Sequence, residues 1–368
     1  LKVAVVGTRG IPDIMGGIET HCQELYPRLA QMGVDVHVFG RRAYTKIKSP
    51  YVYRGVKVIP IYSPKIVGFE AFIHTFRCFL KVWKLHPDVV HLHAIGPSAI
   101  APFFRLIGLK VIYTHHGQDY NRAKWGVVAK SILKLSEFIG TTFSNRVIVI
   151  SKYLQDWLKK KYNCDRTNLI HNGVNESDQL DVEDADLWLS KHGLSNKHYI
   201  FALGRFVKEK GFHDLIDAFV KANLKDVSLV IAGTADHENE YSEELRAKAA
   251  AAGVILPGFI HGEELHAIFE NASLFVIPSY HEGLPIVLLE ALSYNLNVVA
   301  SDIPANVEVP LPRECFYPVG DVDALSQKIK LFMESPVQRN YRQVIREHYN
   351  WDSIAEQTLE VYESVVRK

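Results

Sequence analysis

Pro278-Ser279-Tyr280-His281-Glu282-Gly283-Leu284-Pro285-Ile286-Val287-Leu288-Leu289-Glu290 reads as a turn leading into a helix. The apolar run Leu274 to Ile277 just before it predicts a buried strand. Val287, Leu288, Ala291 and Leu292 follow at helical spacing. Pro285 is expected in the first helical turn, where its missing N–H costs nothing. This geometry leaves the N–H groups of Gly283 and Leu284, and the positive end of a helix dipole, open to an anion such as a diphosphate. Glu282 is expected in the loop and Glu290 about two turns into the helix. Each carboxylate could then meet a different hydroxyl of one ligand. A capped helix with two solvated glutamates would give the same residues, so the stretch alone does not decide a function.

The same strand-and-helix alternation repeats outward from this point. In the first half, Val3–Gly7, Val34–Phe39, Val56–Ile61, Val89–His91, Lys110–Thr114, Val147–Ser151 and Asn168–Ile170 are strand-like, with helical stretches such as His21–Met32 between them. In the second half the strand-like runs are Tyr199–Gly204, Ser228–Gly233, Ile255–Phe259, Leu274–Ile277, Val298–Ser301 and Cys315–Tyr317. Strands separated by helices predict an α/β protein with parallel sheets covered on both faces. His171-Asn172-Gly173-Val174 is strong turn chemistry and marks a domain joint. Asp178–Asp186 reads as an acidic loop. The expected domains are 1–173 and 174–350. Residues 351–368 form an amphipathic tail helix with Ile354, Leu359, Val361, Tyr362 and Val365 on one side.

A length of 368 residues suits two domains, each with its own core. Cys22, Cys78, Cys164 and Cys315 are scattered, with neither metal-ligand spacing nor a disulfide framework, so a reducing cytosol is expected. The chain opens on the strand-like run Val3–Val6 with no signal-peptide pattern, and no stretch is apolar for long enough to span a bilayer. The net charge of +1 hides a division. Residues 1–176 hold 25 Lys+Arg against 11 Asp+Glu, leaving 17 and 30 of the chain's 42 and 41 for the rest. A basic half expects an anionic partner. An anionic membrane surface fits better than nucleic acid, because the cations are mixed with apolar helices at Phe69–Lys84 and Ala123–Lys134. Ordinary domain helices with solvated lysines are the competing reading of those two segments.

Three further segments carry chemistry. Gly7-Thr8-Arg9-Gly10 after a strand, with Arg41-Arg42 after the next, invites a dinucleotide reading, but the Gly-x-Gly-x-x-Gly fingerprint is missing and the loop to Gly16-Gly17 is too long. Gly16-Gly17 before a helix lets backbone approach a ligand closely. Thr114-His115-His116-Gly117 closes a strand, where ligand crevices form; either histidine, with Asp119 close by, could serve a substrate. Gly204-Arg205-Phe206-Val207-Lys208-Glu209-Lys210-Gly211 also follows a strand. Arg205 and Lys210 there could hold a diphosphate leaving group from two directions as its charge grows. Gly258-Phe259 could set a backbone edge against a nucleobase. No Asp-x-Asp-type cluster stands at a strand end, so no metal or other cofactor is expected.

Glu282-x7-Glu290 behind the Pro-Ser turn resembles the signature of the retaining glycosyltransferases of family 4. Val5-Val6-Gly7 through Gly16-Gly17, His116-Gly117 and Gly204-Arg205 through Lys210-Gly211 match the same family in order, so the resemblance spans essentially the whole chain. The opening Gly7-Thr8-Arg9-Gly10-Ile11-Pro12 with Gly16-Gly17-Ile18-Glu19-Thr20 looks most like a bacterial subgroup with rhamnosyltransferases of surface-polysaccharide synthesis. The resemblance implies the GT-B fold, two Rossmann-like domains facing each other across a deep cleft, with the tail helix crossing back to the first. It implies catalysis by His116, Glu282, Arg205 and Lys210. Gly16, Gly17, Asp119, Gly258, Phe259, Gly283, Leu284, Pro285 and Glu290 are implied to bind substrate, with Glu290 on the ribose. The implied donor is a nucleoside-diphosphate sugar: dTDP-rhamnose, a UDP-hexose or a UDP-N-acetylhexosamine. The acceptor would be a glycan or a polyprenyl-diphosphate-linked saccharide at the inner face of the cell membrane, with the enzyme cytoplasmic or peripheral there and no nucleic acid involved. A nucleotide-sugar epimerase on the same fold, and a non-catalytic nucleotide-sugar-binding protein, are the alternatives.

Overall fold

Strands without polar alternation become the centres of two parallel sheets. The computed structural model describes residues 1–64, 70–121, 125–176, 182–195, 197–235 and 238–367. The chain splits into two compact units, one of Leu1–Gly173 with Asn350–Lys368 and one of Val174–Tyr349.

The strands of the first unit are β1 (Lys2–Val6), β2 (Asp35–Arg41), β3 (Tyr51–Tyr53), β4 (Val56–Ile61), β5 (Val89–His93), β6 (Lys110–His115), β7 (Arg146–Val149) and β8 (Thr167–Leu169). They lie in the order β3-β4-β2-β1-β5-β6-β7-β8, all parallel except the β3–β4 pair. Its helices include α1 (Gly17–Gln31), α2 (Glu70–Leu85), α3 (Ile95–Ser98), α4 (Ala101–Leu106), α5 (Val127–Phe143) and α6 (Lys152–Tyr162). β5 is buried along its whole length, as a strand covered by helices on both faces must be. The edge strand β3 was not legible in sequence, being three residues of Tyr-Val-Tyr with Val52 exposed. Of the two basic helical segments, Phe69, Ala123 and Lys124 lie outside the described residues.

The second unit carries β9 (His198–Leu203), β10 (Val227–Ala232), β11 (Leu274–Ile277), β12 (Val298–Ser301) and β13 (Phe316–Tyr317), parallel in the order β10-β9-β11-β12-β13. Around it lie α7 (Val182–Lys191), α8 (Phe212–Ala222), α9 (Glu240–Ala251), α10 (Gly262–Glu270), α11 (Ile286–Ser293), α12 (Pro304–Val307), α13 (Val322–Glu334) and α14 (Arg342–His348). Two expectations fail here. Ile255–Phe259 is not a strand; only a single bridge joins Ile255 to Val230. Pro257 has no N–H to donate, and Gly258 turns left-handed at φ +82°. The acidic segment is not a loop from Val182 onward. Ala185 and Leu189, one turn apart, are buried and draw α7 onto α10. Asp178 to Asp181 lie outside the described residues.

The final helix, α15 (Trp351–Val366), packs on α1 in the first unit. Asn350 caps it, its Oδ1 accepting the N–H groups of Asp352 and Ser353 at 2.8 and 3.1 Å. Trp351, Ile354, Tyr362 and Val365 share one apolar core with Leu25, Leu29 and the strands. Gly173 permits this approach, because a Cβ there would stand 2.6 Å from the Trp351 ring. All four cysteines are buried free thiols.

Candidate active site

In each sheet the strand order reverses at one point, and the carboxyl ends flanking that point form a crevice. In the second unit it falls between β9 and β11, with β10 on the far side of β9. The loops leaving these two strands are Gly204–Gly211 and Pro278–Pro285, so both motifs arrive together.

Their union is close. The Tyr280 N–H donates to the Glu209 carbonyl at 2.8 Å. Lys210 Nζ meets Glu282 Oε1 at 2.5 Å, and Ser279 Oγ donates to the same oxygen at 2.7 Å. Burial pushes the Glu282 carboxyl up, but the Lys210 charge and hydrogen bond, with the Ser279 hydroxyl, outweigh it and hold the group below its usual range. Glu282 is therefore an anchored carboxylate, and Lys210 an aimed cation. Behind them Ser301 Oγ donates to the Ser279 carbonyl at 2.5 Å, and Asn306 Nδ2 donates to the Ser301 carbonyl at 3.0 Å. Tyr280 donates its hydroxyl to Asp214 at the start of α8 and stacks on His213.

Arg205 lies half-buried on the same loop as Lys210. Gly283 is half-buried, whereas Leu284 and Pro285 are buried. Pro285 stands one position before the helix, at its N-cap with φ −75° and ψ 112°, rather than in the first turn. Glu290 is half-buried in the second turn of α11. Gly258 joins the crevice through backbone, since the Gly233 N–H donates to its carbonyl at 2.7 Å and Gly233 abuts Gly204. Phe259 is exposed beside His261. Gly233, at φ +128°, escaped sequence reading; a Cβ there would fall 1.8 Å from the Gly204 carbonyl oxygen.

Gly211 is the steric hinge of the joint. It adopts φ +67°, and a Cβ would lie 2.1 Å from the Pro278 carbonyl oxygen. Gly211→Ala should therefore cost about 2–5 kcal/mol, from left-handed strain plus overpacking. Denaturant unfolding of the purified variant measures it, and an unchanged midpoint would refute the close contact.

In the first unit the reversal falls between β1 and β5. Gly16, at φ +145°, precedes α1, with Gly17 its first residue; a Cβ on Gly16 would strike the Glu19 carboxylate at 2.2 Å. Glu19 Oε1 accepts the Arg9 N–H at 2.9 Å, which ties down the preceding loop. His116 Nε2 shares a hydrogen bond with His93 Nδ1 at 2.8 Å. His93 Nε2 bonds the Tyr26 hydroxyl, which reaches His91 Nδ1 at 3.0 Å, and His91 Nε2 meets Thr114 Oγ1 at 2.6 Å. His21 packs edge-on against His116 and holds Asn172 Oδ1 through Nδ1 at 3.0 Å. Burial drives the whole group toward neutrality, His21 to about 4, His91 to about 3, and His93 and His116 well below the usual value. A neutral His116 with Nε2 engaged offers Nδ1 to a ligand. His115 points to the opposite side of β6, where its Nε2 bonds buried Glu137 at 2.9 Å. Asp119 begins a single turn, Asp119–Asn121, beyond Gly117.

Sequence reading missed His91 and His93. Their spacing of two puts both on one face of β5, and that alternation was the available signal. Among the described residues, His21, His93 and His116 form a group whose ring nitrogens lie within 4.8 Å of one another and could hold a transition metal.

Two family models match in tandem, Glycosyltransferase Family 4 over residues 15–178 and Glycosyl transferases group 1 over residues 184–351. An uncharacterized glycosyltransferase of Methanocaldococcus jannaschii is 28% identical, with 98% of each chain covered. The alpha-maltose-1-phosphate synthase of Mycolicibacterium smegmatis is 25% identical, over 99% of this chain and all of that one. Among solved structures, sucrose-phosphate synthase from Thermosynechococcus elongatus superposes with a TM-score of 0.87 at 22% identity, covering 100% and 99% of the two chains. Anabaena HepE in complex with UDP-glucose gives 0.80 at 16%, covering 99% of each.

Proposed function

With a Glycosyltransferase Family 4 domain followed by a Glycosyl transferases group 1 domain, the chain is a glycosyltransferase of the GT-B fold with two Rossmann-like domains, and we propose that it moves a sugar from a nucleoside-diphosphate donor with retention of configuration. The observation that carries this reading is the Lys210–Glu282–Ser279 cluster at the reversal point of the second sheet. Lys210 and Arg205 take the diphosphate, together with the N–H groups of Gly283 and Leu284, and Gly258 and Phe259 border the base. Glu282 aims Lys210 through one oxygen and takes a sugar hydroxyl with the other, while Glu290 takes the ribose. As the bond from sugar C1 to the phosphate oxygen breaks, charge grows on the leaving group, and the two fixed cations stabilise it more than they stabilise the ground state. The acceptor oxygen bonds to C1 on the same face and its proton passes to the departing phosphate, so no enzyme nucleophile is needed. His116, Gly16 and Gly17 serve the donor sugar and the acceptor. The binding of UDP-glucose by HepE supports a uridine diphosphate sugar as donor alongside dTDP-rhamnose. The acceptor is a glycan or a lipid-linked saccharide of bacterial surface-polysaccharide synthesis, met by a cytoplasmic enzyme.

Thermal shift against thymidine, uridine, guanosine and adenosine diphosphates tests the cradle, with magnesium and with a chelator in parallel. The true carrier at 100 times its Kd should add about 2.7 kcal/mol of stability and raise Tm by roughly 5–10 °C. The shift should survive the chelator, because in this reading Lys210 and Arg205 hold the diphosphate without a metal. No shift with any nucleotide would sink the donor assignment, and a shift only with magnesium would sink the metal-free one.

A further inference from the structure

α5 is built inside out. Its buried side holds Ser136, Glu137, Gly140 and Thr141, and the side turned to solvent carries Val127, Val128, Ile132, Leu135 and Phe138. Val127 is 82% exposed and Val128 74%. An ordinary domain helix has the reverse arrangement. α2 adds a second such face. His74, Cys78 and Val82 fix it to the sheet, while Phe72, Phe76, Leu80 and Trp83 form a separate stripe in solvent, with Phe72 70% exposed. α4 joins the two. It packs on α5, and the Phe79 ring of α2 lies against Phe103 and Phe104 of α4 at 6.3 and 5.3 Å. α4 also exposes Leu106, at 81%. The three helices are thus linked through α4, and each exposes large apolar side chains, more than the scattered apolar residues of a normal exterior.

Cations border it. Arg77, Lys81 and Lys84 on α2, Arg105 on α4 and Lys134 on α5 are all exposed. The described part of α5 carries one carboxylate, Glu137, which is buried and already taken by His115, Lys161, Tyr120 and Tyr162. Glu70 of α2 is likewise buried, against Tyr44 and Ser63. The exposed surface is thus apolar and positive, with its acids turned inward.

We infer that the α2–α4–α5 face docks the protein on an anionic lipid bilayer. Exposed Val, Ile, Leu and Phe enter the acyl boundary, Trp83 sits at the interface, and the lysines and arginines reach up to lipid headgroup phosphates. Nucleic acid would engage the cations but give the aliphatic side chains nothing to contact. No helix among the described residues is long and apolar enough to cross a membrane, so attachment is peripheral and reversible. The surface stands on the first unit alone. That it brings the enzyme to a lipid-linked acceptor rests on the transferase reading above.

The test is co-sedimentation of the full chain with vesicles of phosphatidylcholine alone and of phosphatidylcholine with one quarter phosphatidylglycerol. Binding should require the anionic lipid and weaken as salt rises. Lys81→Gln/Lys84→Gln/Lys134→Gln should lower the partition coefficient by about 100-fold. Phe72→Ser/Ile132→Ser should lower it at least about tenfold. Both variants alter only exposed side chains, so their nucleotide-induced thermal shifts should match the parent. That readout separates the two ideas: vesicle binding without any nucleotide shift sinks the donor reading and leaves the face intact, and the converse sinks the face. Equal binding to both vesicle types would overturn the charge argument. A dimer in solution that Phe72→Ser/Ile132→Ser dissociates, with no vesicle binding by the parent, would overturn the proposal in favour of a second copy.

Discussion

Lys210→Ala should lower kcat by about 10²–10³-fold, the usual cost of deleting one fixed donor that faces developing negative charge. The side chain is only 17% exposed and is aimed by Glu282 at 2.5 Å, so it enters the reaction already oriented. Its loss does more than remove a charge. Glu282 is left as a half-buried carboxylate that keeps the Ser279 hydroxyl but has lost its cation, and it then repels the phosphate. Lys210→Ala/Glu282→Gln should therefore recover part of the lost rate, a coupling that a double-mutant cycle reads directly. Lys210→Arg should restore binding of the nucleotide better than it restores turnover, since the guanidinium fork cannot take the same point position. Steady-state kinetics with the carrier identified by thermal shift decides the matter. A kcat within twofold of the parent for Lys210→Ala would remove the residue from the reaction.

Acidification should unfold the first unit between about pH 6 and pH 4.5. His21, His74 and His91 have their folded values pushed down by burial to about 4, about 4 and about 3, and His93 lies well below the usual value. These are buried groups kept neutral by the fold. In the unfolded chain each takes up a proton below about pH 6.5, whereas the folded protein refuses it until far lower. The unfolded state thus binds more protons in that window, and stability falls as pH falls. Each group contributes a slope of about 1.4 kcal/mol per pH unit, so the four together give on the order of 5 kcal/mol per unit near pH 5. That is comparable with the whole stability of a typical domain, about 5–15 kcal/mol. The second unit should outlast the first. Trp83, Trp125, Trp157 and Trp351 lie in the first unit against Trp188 in the second, so indole emission chiefly follows the first. A red shift complete by about pH 4.5 is expected, while the nucleotide shift persists to lower pH. A stability slope no steeper than that of one histidine would show that the cluster is not buried as described.

The sheet around the quoted stretch was legible because four apolar residues fill β11 and the helical spacing after Pro285 fills α11, both local patterns. What failed was also local in appearance. Ile255–Phe259 looks like a strand until Pro257 and left-handed Gly258 interrupt the ladder, and α7 looks like an acidic loop until Ala185 and Leu189 find α10. The candidate site divides in the same way. The loops at Gly204 and Pro278 could be read singly, but the Lys210–Glu282 pair joins residues 72 positions apart, and nothing in either segment announces its partner. The histidine network is harder still, because His21, His93 and His116 come from α1, β5 and the end of β6 and meet only once the sheet order is set.

α15 gives the molecule an order of assembly. Translation delivers the whole of Val174–Tyr349 before Trp351 leaves the ribosome. At 5–20 residues per second the first unit waits roughly 10–35 seconds with the groove between α1 and the sheet uncovered. The younger unit can finish folding first, while Leu25, Leu29 and Tyr26 stay open to holdase chaperones. A message truncated before Trp351 would then release a chain with a folded second unit and an adhesive first one, fit for proteolysis rather than for partial activity.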